Sequence, residues 1–275
     1  MAWVEVSDDQ RDATFAQVVH EEQSGPTRLS APLPHRAFRA RALPHRPWTC
    51  HSRSMAHEHQ HAAPHDHTAA DPSLSPTDHW EQRYADSERI WSGQVNATLA
   101  EVTADLTPGT AIDLGCGEGG DVLWLAEQGW IAHGLDISPT AVDRARSEAS
   151  ARGLEGASFT ATDLDAWRPE PESADLVTAS FFQSEVALDR VSILRRAAAA
   201  LRPGGHLVTI SHAAPPSWAE HHPAHMVNVR TEAEQLAQPA ADWVVEVAED
   251  RRRPAVSPDG THGEHLDAVM VLRRR

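Results

Sequence analysis

The chain has 275 residues, of which 40% are hydrophobic and 23% are charged, so it can bury one substantial core or two small ones. Its formal net charge at pH 7 is −16, which argues against an extended surface for nucleic acid or for an anionic membrane. Its two cysteines, Cys50 and Cys116, lie far apart. This cysteine usage excludes a disulfide framework and predicts a reducing, cytoplasmic location. No apolar run reaches membrane-spanning length.

The first 76 residues differ in composition from the rest of the chain. They are rich in Pro, His, Ser, Arg and Ala and show little hydrophobic periodicity. Such a segment buries too little apolar surface to offset its ordering entropy, so we expect most of it to be disordered. We therefore predict an extension over residues 1–76 and one domain over residues 77–275. Met55 opens a phrase of its own, and one hypothesis is that translation starts there.

Five histidines crowd the end of this extension: His57, His59, His61, His65 and His67. Neutral imidazoles suit Zn, Ni or Cu, so one interpretation is a transition-metal site. The other interpretation is a flexible polar tract that binds metal weakly. We favour the tract and predict no specific metal site, because structural metal sites place their ligands on rigid elements.

From Asp78 onward the hydrophobic pattern becomes regular. It predicts a short helix, a turn at residues 92–93, and a second helix with Val95, Leu99 and Val102 on one face.

Strands and helices then alternate along the chain. Ser138 is predicted to cap a helix over residues 138–153, with Pro139 at its first position and Gly153 as its stop. Another helix over residues 191–205 is expected to end at its Pro-Gly-Gly sequence. The remaining predicted elements are a helix at 119–129, strands at 111–117, 130–138, 157–164, 174–182 and 206–212, and a terminal antiparallel pair at 243–252 and 265–274.

This alternation predicts an α/β fold, with a doubly wound and mostly parallel sheet that ends in the antiparallel strand pair. In such folds, ligands bind at the carboxyl ends of the strands, near the topological switch point. The glycine turn after the first strand, Asp136, Asp163 and Ser180 should therefore lie along one edge of the sheet.

The spacing Gly115-x-Gly117-x-x-Gly120, between a strand and a helix, matches the dinucleotide fingerprint, which predicts a bound pyrophosphate. Asp113 argues against that ligand, because a carboxylate two residues before the first glycine would repel a pyrophosphate. The same carboxylate favours a ligand whose near end is cationic. S-adenosylmethionine is such a ligand, since it carries an ammonium and a sulfonium group and no phosphate.

The successive segments "AIDLGCGEGG", "GLDIS", "TATDLDAW", "ADLVTASFF" and "LRPGGHLVTISH" resemble the ordered motifs of class I S-adenosylmethionine-dependent methyltransferases. The resemblance extends from about residue 78 to the C-terminus and implies a Rossmann-like methyltransferase fold. The segment "HWEQRYADSERIWSGQVN" is similar to the small-molecule branch that contains tellurite-resistance and thiopurine methyltransferase-like proteins.

The resemblance also implies roles for single residues around S-adenosylmethionine. Asp113, with the backbone of Gly115 and Gly117, would hold the methionine end. Asp136 would accept hydrogen bonds from both ribose hydroxyls, and Ile137 would lie against the adenine ring.

Three further residues complete the implied cofactor site. Asp163, with the backbone of Leu164 beside it, would accept a hydrogen bond from the adenine amine, and Ser180 would lie near the reacting methyl group. Asp136 and Asp163 have an alternative role in helix capping or surface solvation. Tyr84 and Trp91 are expected either to cover the site or to pack onto the domain.

No residue is assigned as catalytic. One of the histidines after the fifth strand, namely His212, His221, His222 and His225, could act as a general base, but we expect most of them to be solvated. Cys116 is interpreted as a packing residue.

The predicted reaction is methyl transfer to a small molecule, with a soft sulfur, selenium or tellurium nucleophile that needs little help from a base. Nucleic acid and membrane are not expected as partners, because the charge is acidic and "SFFQSE" lacks the Asn/Asp-Pro-Pro-aromatic tetrapeptide of adenine methyltransferases. The alternatives are an NAD-linked oxidoreductase and a non-enzymatic, His-rich metal-binding protein. The acceptor and the oligomeric state stay open.

Overall fold

The structure is a computed structural model, and it describes residues 74–219, 225–257 and 259–275. Its helices are α1 (Pro76–Ala85), α2 (Ala97–Thr103), α3 (Gly120–Glu127), α4 (Pro139–Arg152), α5 (Arg190–Ala198) and α6 (Val229–Leu236), with a 3₁₀ turn at Ala240–Asp242. Its strands are β1 (Thr110–Leu114), β2 (Ile131–Asp136), β3 (Ala157–Ala161), β4 (Ala174–Ser180), β5 (Leu201–Ala214), β6 (Trp243–Val256) and β7 (His262–Arg274).

These strands form one seven-stranded sheet in the order β3-β2-β1-β4-β5-β7-β6. β1 to β5 run parallel, and β7 pairs antiparallel with both β5 and β6. The predicted doubly wound sheet with a C-terminal antiparallel pair is confirmed. The strand order reverses between β1 and β4, so the topological switch point lies where the glycine turn and the end of β4 meet.

The side chains of alternate residues in the central strands pack into two hydrophobic layers, one on each face of the sheet. Leu207 packs with the layer under α5 and α6, and its neighbour Val208 packs with the layer under α2, α3 and α4. No helix among the described residues is long and apolar enough to cross a membrane.

Helix α4 begins and ends as the sequence predicts. Ser138 caps it by accepting a hydrogen bond from the N–H of Ala141, and Pro139 occupies its first position. Gly153 terminates it in a left-handed conformation with φ at +67°, which a residue without a Cβ adopts without strain.

The end of α5 differs from the prediction. The helix stops at Ala198 rather than at the Pro-Gly-Gly sequence, because Leu201 already pairs with Ala174 in the sheet. The next pair joins His206 to Leu176, so residues 202–205 form a bulge within β5.

Helix α6 was not predicted from the sequence. Asn228 caps this helix by accepting a hydrogen bond from the N–H of Thr231, and Val229, Ala233 and Leu236 form its buried face. Their helical spacing after an N-cap residue was the signal that could have located it.

Two predictions fall on residues outside the described part of the chain. The histidine tract at residues 57–67 lies there, and so does nearly all of the extension over residues 1–76. Helix α1 begins at Pro76, and the division of the chain at residue 77 stays a prediction.

Candidate cofactor-binding site

The glycine loop between β1 and α3 turns around the end of β2. Gly115 and Gly117 have φ angles of +67° and +52°, a region that favours glycine. The N–H of Gly115 donates to the Leu135 carbonyl and the N–H of Gly117 donates to the Asp136 carboxylate, both at 2.8 Å. Because these N–H groups are engaged, the two glycines offer a ligand their carbonyl oxygens, which suit a cationic group.

Asp113 lies in β1, two residues before this loop, and is only 4% exposed. Its carboxylate accepts a hydrogen bond of 2.6 Å from the hydroxyl of Thr178 in β4. Burial raises the pKa of Asp113 well above its usual range, and the carboxylates of Asp121 and Asp136 raise it further. A cation that reaches this carboxylate would favour its charged form, which is consistent with the predicted role.

Asp136 ends β2 and is 6% exposed. One of its oxygens accepts from the N–H of Gly117 at 2.8 Å, and the other accepts from the N–H of Ser138 at 2.9 Å. Burial raises the pKa of Asp136, and these backbone hydrogen bonds oppose the rise. A carboxylate has about four acceptor positions, so positions remain for ligand hydroxyls. The side chain thus also fixes the glycine loop to the start of α4.

The residues predicted for the adenine end follow β2 and β3. Asp163 is exposed and accepts from the N–H of Asp165 at 2.8 Å, the kind of local turn contact that the sequence left as its alternative role. Leu164 is buried, and its carbonyl accepts from Arg196 at 2.8 Å. Ile137 is half-buried. Contact of these residues with adenine stays a prediction.

Ser180 ends β4 at the switch point. Its hydroxyl oxygen is buried beside the carboxylate of Asp121. The carboxylate of Asp121 accepts from the N–H of Asn96 at 2.7 Å, and burial raises its pKa. This buried polar oxygen lies beside the glycine loop and fits a polar ligand between β1 and β4.

Aromatic rings cover the glycine loop. A methyl group added at Gly117 would lie 2.8 Å from the Tyr84 hydroxyl and 3.1 Å from Trp91 Nε1. Trp91 Nε1 in turn donates to the Tyr84 hydroxyl at 2.9 Å. On the other side, a methyl group at Gly115 would lie 2.6 Å from the ring of Phe182. Glycine is required at both positions because the rings leave no space for a side chain.

We call residues 76–96, which carry Tyr84 and Trp91, the cover segment. Glu118 of the glycine loop accepts from the N–H of Trp91 at 3.0 Å and from Arg144 at 2.9 Å. The guanidinium of Arg144 also donates to the Tyr84 carbonyl at 3.0 Å. These contacts fix the cover segment to both the loop and α4.

The polar residues that hold the cover segment were not predicted from the sequence. They are Glu81, Glu118, Asp121 and Arg144. Each joins parts of the chain that are far apart in sequence, so no local pattern could reveal them. Asp121, in the first turn of α3, carried the only local signal, since carboxylates are favoured there in any helix.

Of the four histidines predicted after the fifth strand, the structure describes His212 and His225. His212 lies within β5, and its Nδ1 faces the Asp267 carboxylate at 3.4 Å. The side chain is 20% exposed, so His212 itself is a largely buried strand residue rather than a solvated loop residue. His225 is exposed. His221 and His222 lie outside the described residues.

Cys116 is buried in the hydrophobic layer under α3 and α4. Its Sγ would lie 2.7 Å from a methyl group added at Gly134, and burial raises the pKa of its thiol well above the usual range. Both observations agree with its interpretation as a packing residue. Within the described ranges, no group of three or more His, Cys, Asp or Glu side chains could hold a metal ion.

Two surface depressions lie away from this edge of the sheet. One, of about 360 Å³, is lined by the start of α6 and the middle of β6, and the other, of about 390 Å³, by α4 and β3. Neither is lined by the predicted site residues.

Comparisons with known proteins bear on this site. Residues 111–205 match the family model described as a methyltransferase domain. The aklanonic acid methyltransferase DauC of Streptomyces sp. (strain C5) is 35% identical over 118 residues, which span 41% of this chain and 52% of that protein. The probable thiol methyltransferase 2 of Arabidopsis thaliana is 30% identical over 135 residues, which span 48% of this chain and 60% of that protein. The chain thus spans about half the length of these relatives.

A solved structure is also similar. It comes from work on the conversion of a disulfide bond into a thioacetal group during echinomycin biosynthesis. It aligns with a TM-score of 0.56 and 26% identity over 72% of this chain and 91% of its own. The narrower resemblance to the tellurite-resistance and thiopurine branch stays a prediction. The described part of this chain has the Rossmann-like fold of class I S-adenosylmethionine-dependent methyltransferases, and its residues 111–205 match the methyltransferase domain family.

Proposed function

We propose that this protein transfers the methyl group of S-adenosylmethionine to a small-molecule acceptor. The observation that supports this function best is the meeting of Asp113, Asp136 and the buried Ser180 hydroxyl around one glycine loop. When bound, the cofactor supplies an electrophilic methyl group on a sulfonium. The chain itself has to bind, orient and shelter that group.

In this proposal, Asp113 and the carbonyls of Gly115 and Gly117 hold the ammonium end of the cofactor. Asp136 accepts from the ribose hydroxyls while it keeps its bonds to the loop backbone. Ile137, Asp163 and Leu164 contact the adenine end, and Ser180 lies near the methyl group. The rings of the cover segment exclude water from the reacting atoms, which favours transfer to the acceptor over hydrolysis.

For the acceptor, we propose a soft nucleophile such as a thiol or a reduced selenium or tellurium compound. One relative is named as a thiol methyltransferase, and the similar solved structure comes from work on sulfur chemistry. A soft nucleophile also suits a site whose buried carboxylates attract a sulfonium. We keep the prediction of a cytoplasmic location, which rests on cysteine usage.

An NAD-linked oxidoreductase is the second candidate from the sequence. Its pyrophosphate would have to lie on the loop beside Asp113, Asp121 and Asp136. Because burial and mutual repulsion already raise the pKa of Asp113, an added anion would be strongly disfavoured there.

Calorimetric titration of the full chain tests the proposal. We expect micromolar binding of S-adenosylhomocysteine and no binding of NADH under the same conditions. Binding of NADH alone would replace the proposed cofactor by a dinucleotide. If neither ligand binds, the methyltransferase function is wrong for this chain, and the histidine tract at residues 57–67 becomes the feature to test.

A further inference from the structure

We propose that His212, oriented by Asp267, removes the proton from the nucleophilic atom of the acceptor. The acceptor is then a compound whose S–H or O–H is intact at neutral pH. This inference rests on the proposed function and adds the catalytic base that the sequence could not assign.

His212 and Asp267 stand directly opposite each other on the paired strands β5 and β7. Side chains at opposite positions of an antiparallel pair lie on the same face, and Nδ1 of His212 faces Oδ1 of Asp267 at 3.4 Å. The carboxylate is 1% exposed and also accepts from Arg253 at 2.9 Å. It can thus fix the imidazole orientation, as a carboxylate does for a catalytic histidine in other enzymes.

The imidazole is held on both faces. It stacks on Phe181 with ring centres 4.4 Å apart and on His265 with ring centres 5.3 Å apart. Nδ1 is buried, so the exposed 20% of the side chain belongs to its other atoms. Nε2 lies on the side of the ring opposite Nδ1, and it is the atom that we assign to proton transfer.

Phe181 connects the His212 and Asp267 pair to the edge of the sheet where we propose that the cofactor binds. It directly follows Ser180 and precedes Phe182, whose ring packs on Gly115. Its φ angle is +51°, a strained conformation for a bulky residue and one that tends to occur at functional sites. Adjacent strands are about 5 Å apart, so His212 on β5 stands about 10 Å from β1, a distance that leaves room for two reactants.

Among the described residues, the charged and titratable groups named around His212 come from two strands. β7 contributes Asp267 and His265, and β6 contributes Arg253, which also lies over the Phe181 ring at 5.9 Å. In the proposed step, a bond forms between the methyl carbon and the acceptor sulfur or oxygen as the bond from that carbon to the sulfonium sulfur breaks. The acceptor proton passes to Nε2, and solvent later removes it.

A second histidine of β5 offers a matched control. His206 lies 3.3 Å from Glu246, which also pairs with Arg273 at 2.7 Å. This cluster has the same three kinds of group as the one around His212, namely a histidine, a carboxylate and an arginine. It lies nearer the amino end of the same strand, away from the glycine loop. A purely structural role predicts similar consequences for both histidines.

The first test compares His212→Gln with His206→Gln in the full chain. With 2-mercaptoethanol, which stays protonated at neutral pH, we expect His212→Gln to lower kcat about 100-fold or more and to abolish the acidic limb of the pH profile. With 4-nitrothiophenol, which is already ionised, we expect less than a 5-fold loss. His206→Gln should match the wild type on both thiols. Asp267→Asn should lower kcat with 2-mercaptoethanol while KM changes less than 3-fold.

The second test needs no turnover. In the complex with S-adenosylhomocysteine, 4-nitrophenol bound to the wild type should show more phenolate absorbance than 4-nitrophenol bound to His212→Gln. Because the group that loses its proton is an O–H, this measurement at neutral pH also tests whether the site accepts an oxygen nucleophile. Equal absorbance, or equal losses on the two thiols, would overturn the base assignment. Failure of the wild type to bind S-adenosylhomocysteine would instead overturn the proposed function. Cofactor binding without binding of any thiol or phenol would overturn the acceptor class.

Discussion

Buried aspartates lie in two parts of this sheet, and their surroundings shift the aspartate pKa values in opposite directions. Asp113 and Asp136, at the ends of β1 and β2, are 4% and 6% exposed, and Asp267 on β7 is 1% exposed. Burial raises the pKa of Asp113 and Asp136. Burial also acts on Asp267, but hydrogen bonds and charge from His212 and Arg253 outweigh it and lower its pKa.

Burial alone therefore does not define the role of a carboxylate. The carboxylates of Asp113 and Asp136 face hydroxyl and N–H donors and each other. Their negative charge is therefore not balanced by a positively charged side chain. The carboxylate on β7 already has its partners, and its charge fixes an imidazole and a guanidinium. The first region is suited to receive a cation, and the second is suited to orient a base.

The largest expected effect is on cofactor affinity. Replacing Asp136 by Ala removes the acceptor that we propose for the ribose hydroxyls and the observed acceptor for the N–H of Gly117. We therefore expect a loss of about 2–3 kcal/mol in binding S-adenosylhomocysteine, or about 30- to 150-fold. Calorimetry measures this loss. Asp143→Ala, an exposed aspartate of α4, should bind as the wild type does. Unchanged affinity in Asp136→Ala would mean that the cofactor is held elsewhere.

Asp267→Asn tests the paired carboxylate. It leaves Arg253 and His212 facing an uncharged group, so we expect the free energy of unfolding to fall by about 2 kcal/mol at neutral pH, measured by urea denaturation. Because the folded pKa of Asp267 is lowered, this contribution is complete above the ordinary value of 3.8 and is lost as the pH falls through the lowered value. Glu246→Gln, whose carboxylate is 35% exposed, should cost less. An equal cost would remove the contrast between the two clusters.

The substitution Glu118→Gln tests whether a carboxylate's contribution to stability depends on its having a charged partner or on its place in the sheet. Glu118 lies on the cofactor side but has Arg144 as its partner, so pairing predicts a loss of about 1 kcal/mol in the free energy of unfolding. Hydrogen exchange at the amides of Ile90 and Trp91, which both donate to Glu118, should accelerate. Exchange unchanged from the wild type would show that the cover segment is held by its other contacts.

Asp113→Asn should have the smallest effect and the opposite sign. Its folded pKa is raised, so the folded state binds a proton more readily than the unfolded state between pH 3.8 and the raised value. Above that range the charged, buried group destabilises the wild type. We expect Asp113→Asn to be more stable by up to about 1 kcal/mol at neutral pH, and this advantage should shrink as the pH falls. A clear loss of stability at neutral pH would contradict the comparison.

Much of the fold could be predicted from local patterns. The cap at Ser138 and Pro139, the glycine loop and the alternation of strands and helices each depend on a few neighbouring residues. The ends of elements depended on distant pairing instead. Leu201 left the predicted helix because Ala174 was available in the sheet, a partner that no window around residue 201 contains.

The candidate site divides in the same way. Asp113, Asp136 and Ser180 could be placed at one edge because the ends of parallel strands share that edge. His212 was treated as one of several loop histidines, because its significance lies in Asp267, which is 55 residues further along the chain and opposite it in the sheet. Glu118 and Arg144 likewise gained a role only once the cover segment lay over the loop.

The cover segment also has a consequence for timing. Tyr84 and Trp91 cover Gly117 on the side where a side chain would stand, and Arg144 and Glu118 hold the backbone of these two residues. A ligand that approaches Gly117 from this side has to displace both rings. Entry and departure therefore require hydrogen bonds of the protein to break first, so the observed association rate should level off at high ligand concentration instead of rising without limit. The residence time of the spent cofactor would then depend on how fast the hydrogen bonds to Glu118 break. Departure of this product, rather than methyl transfer itself, would then limit turnover.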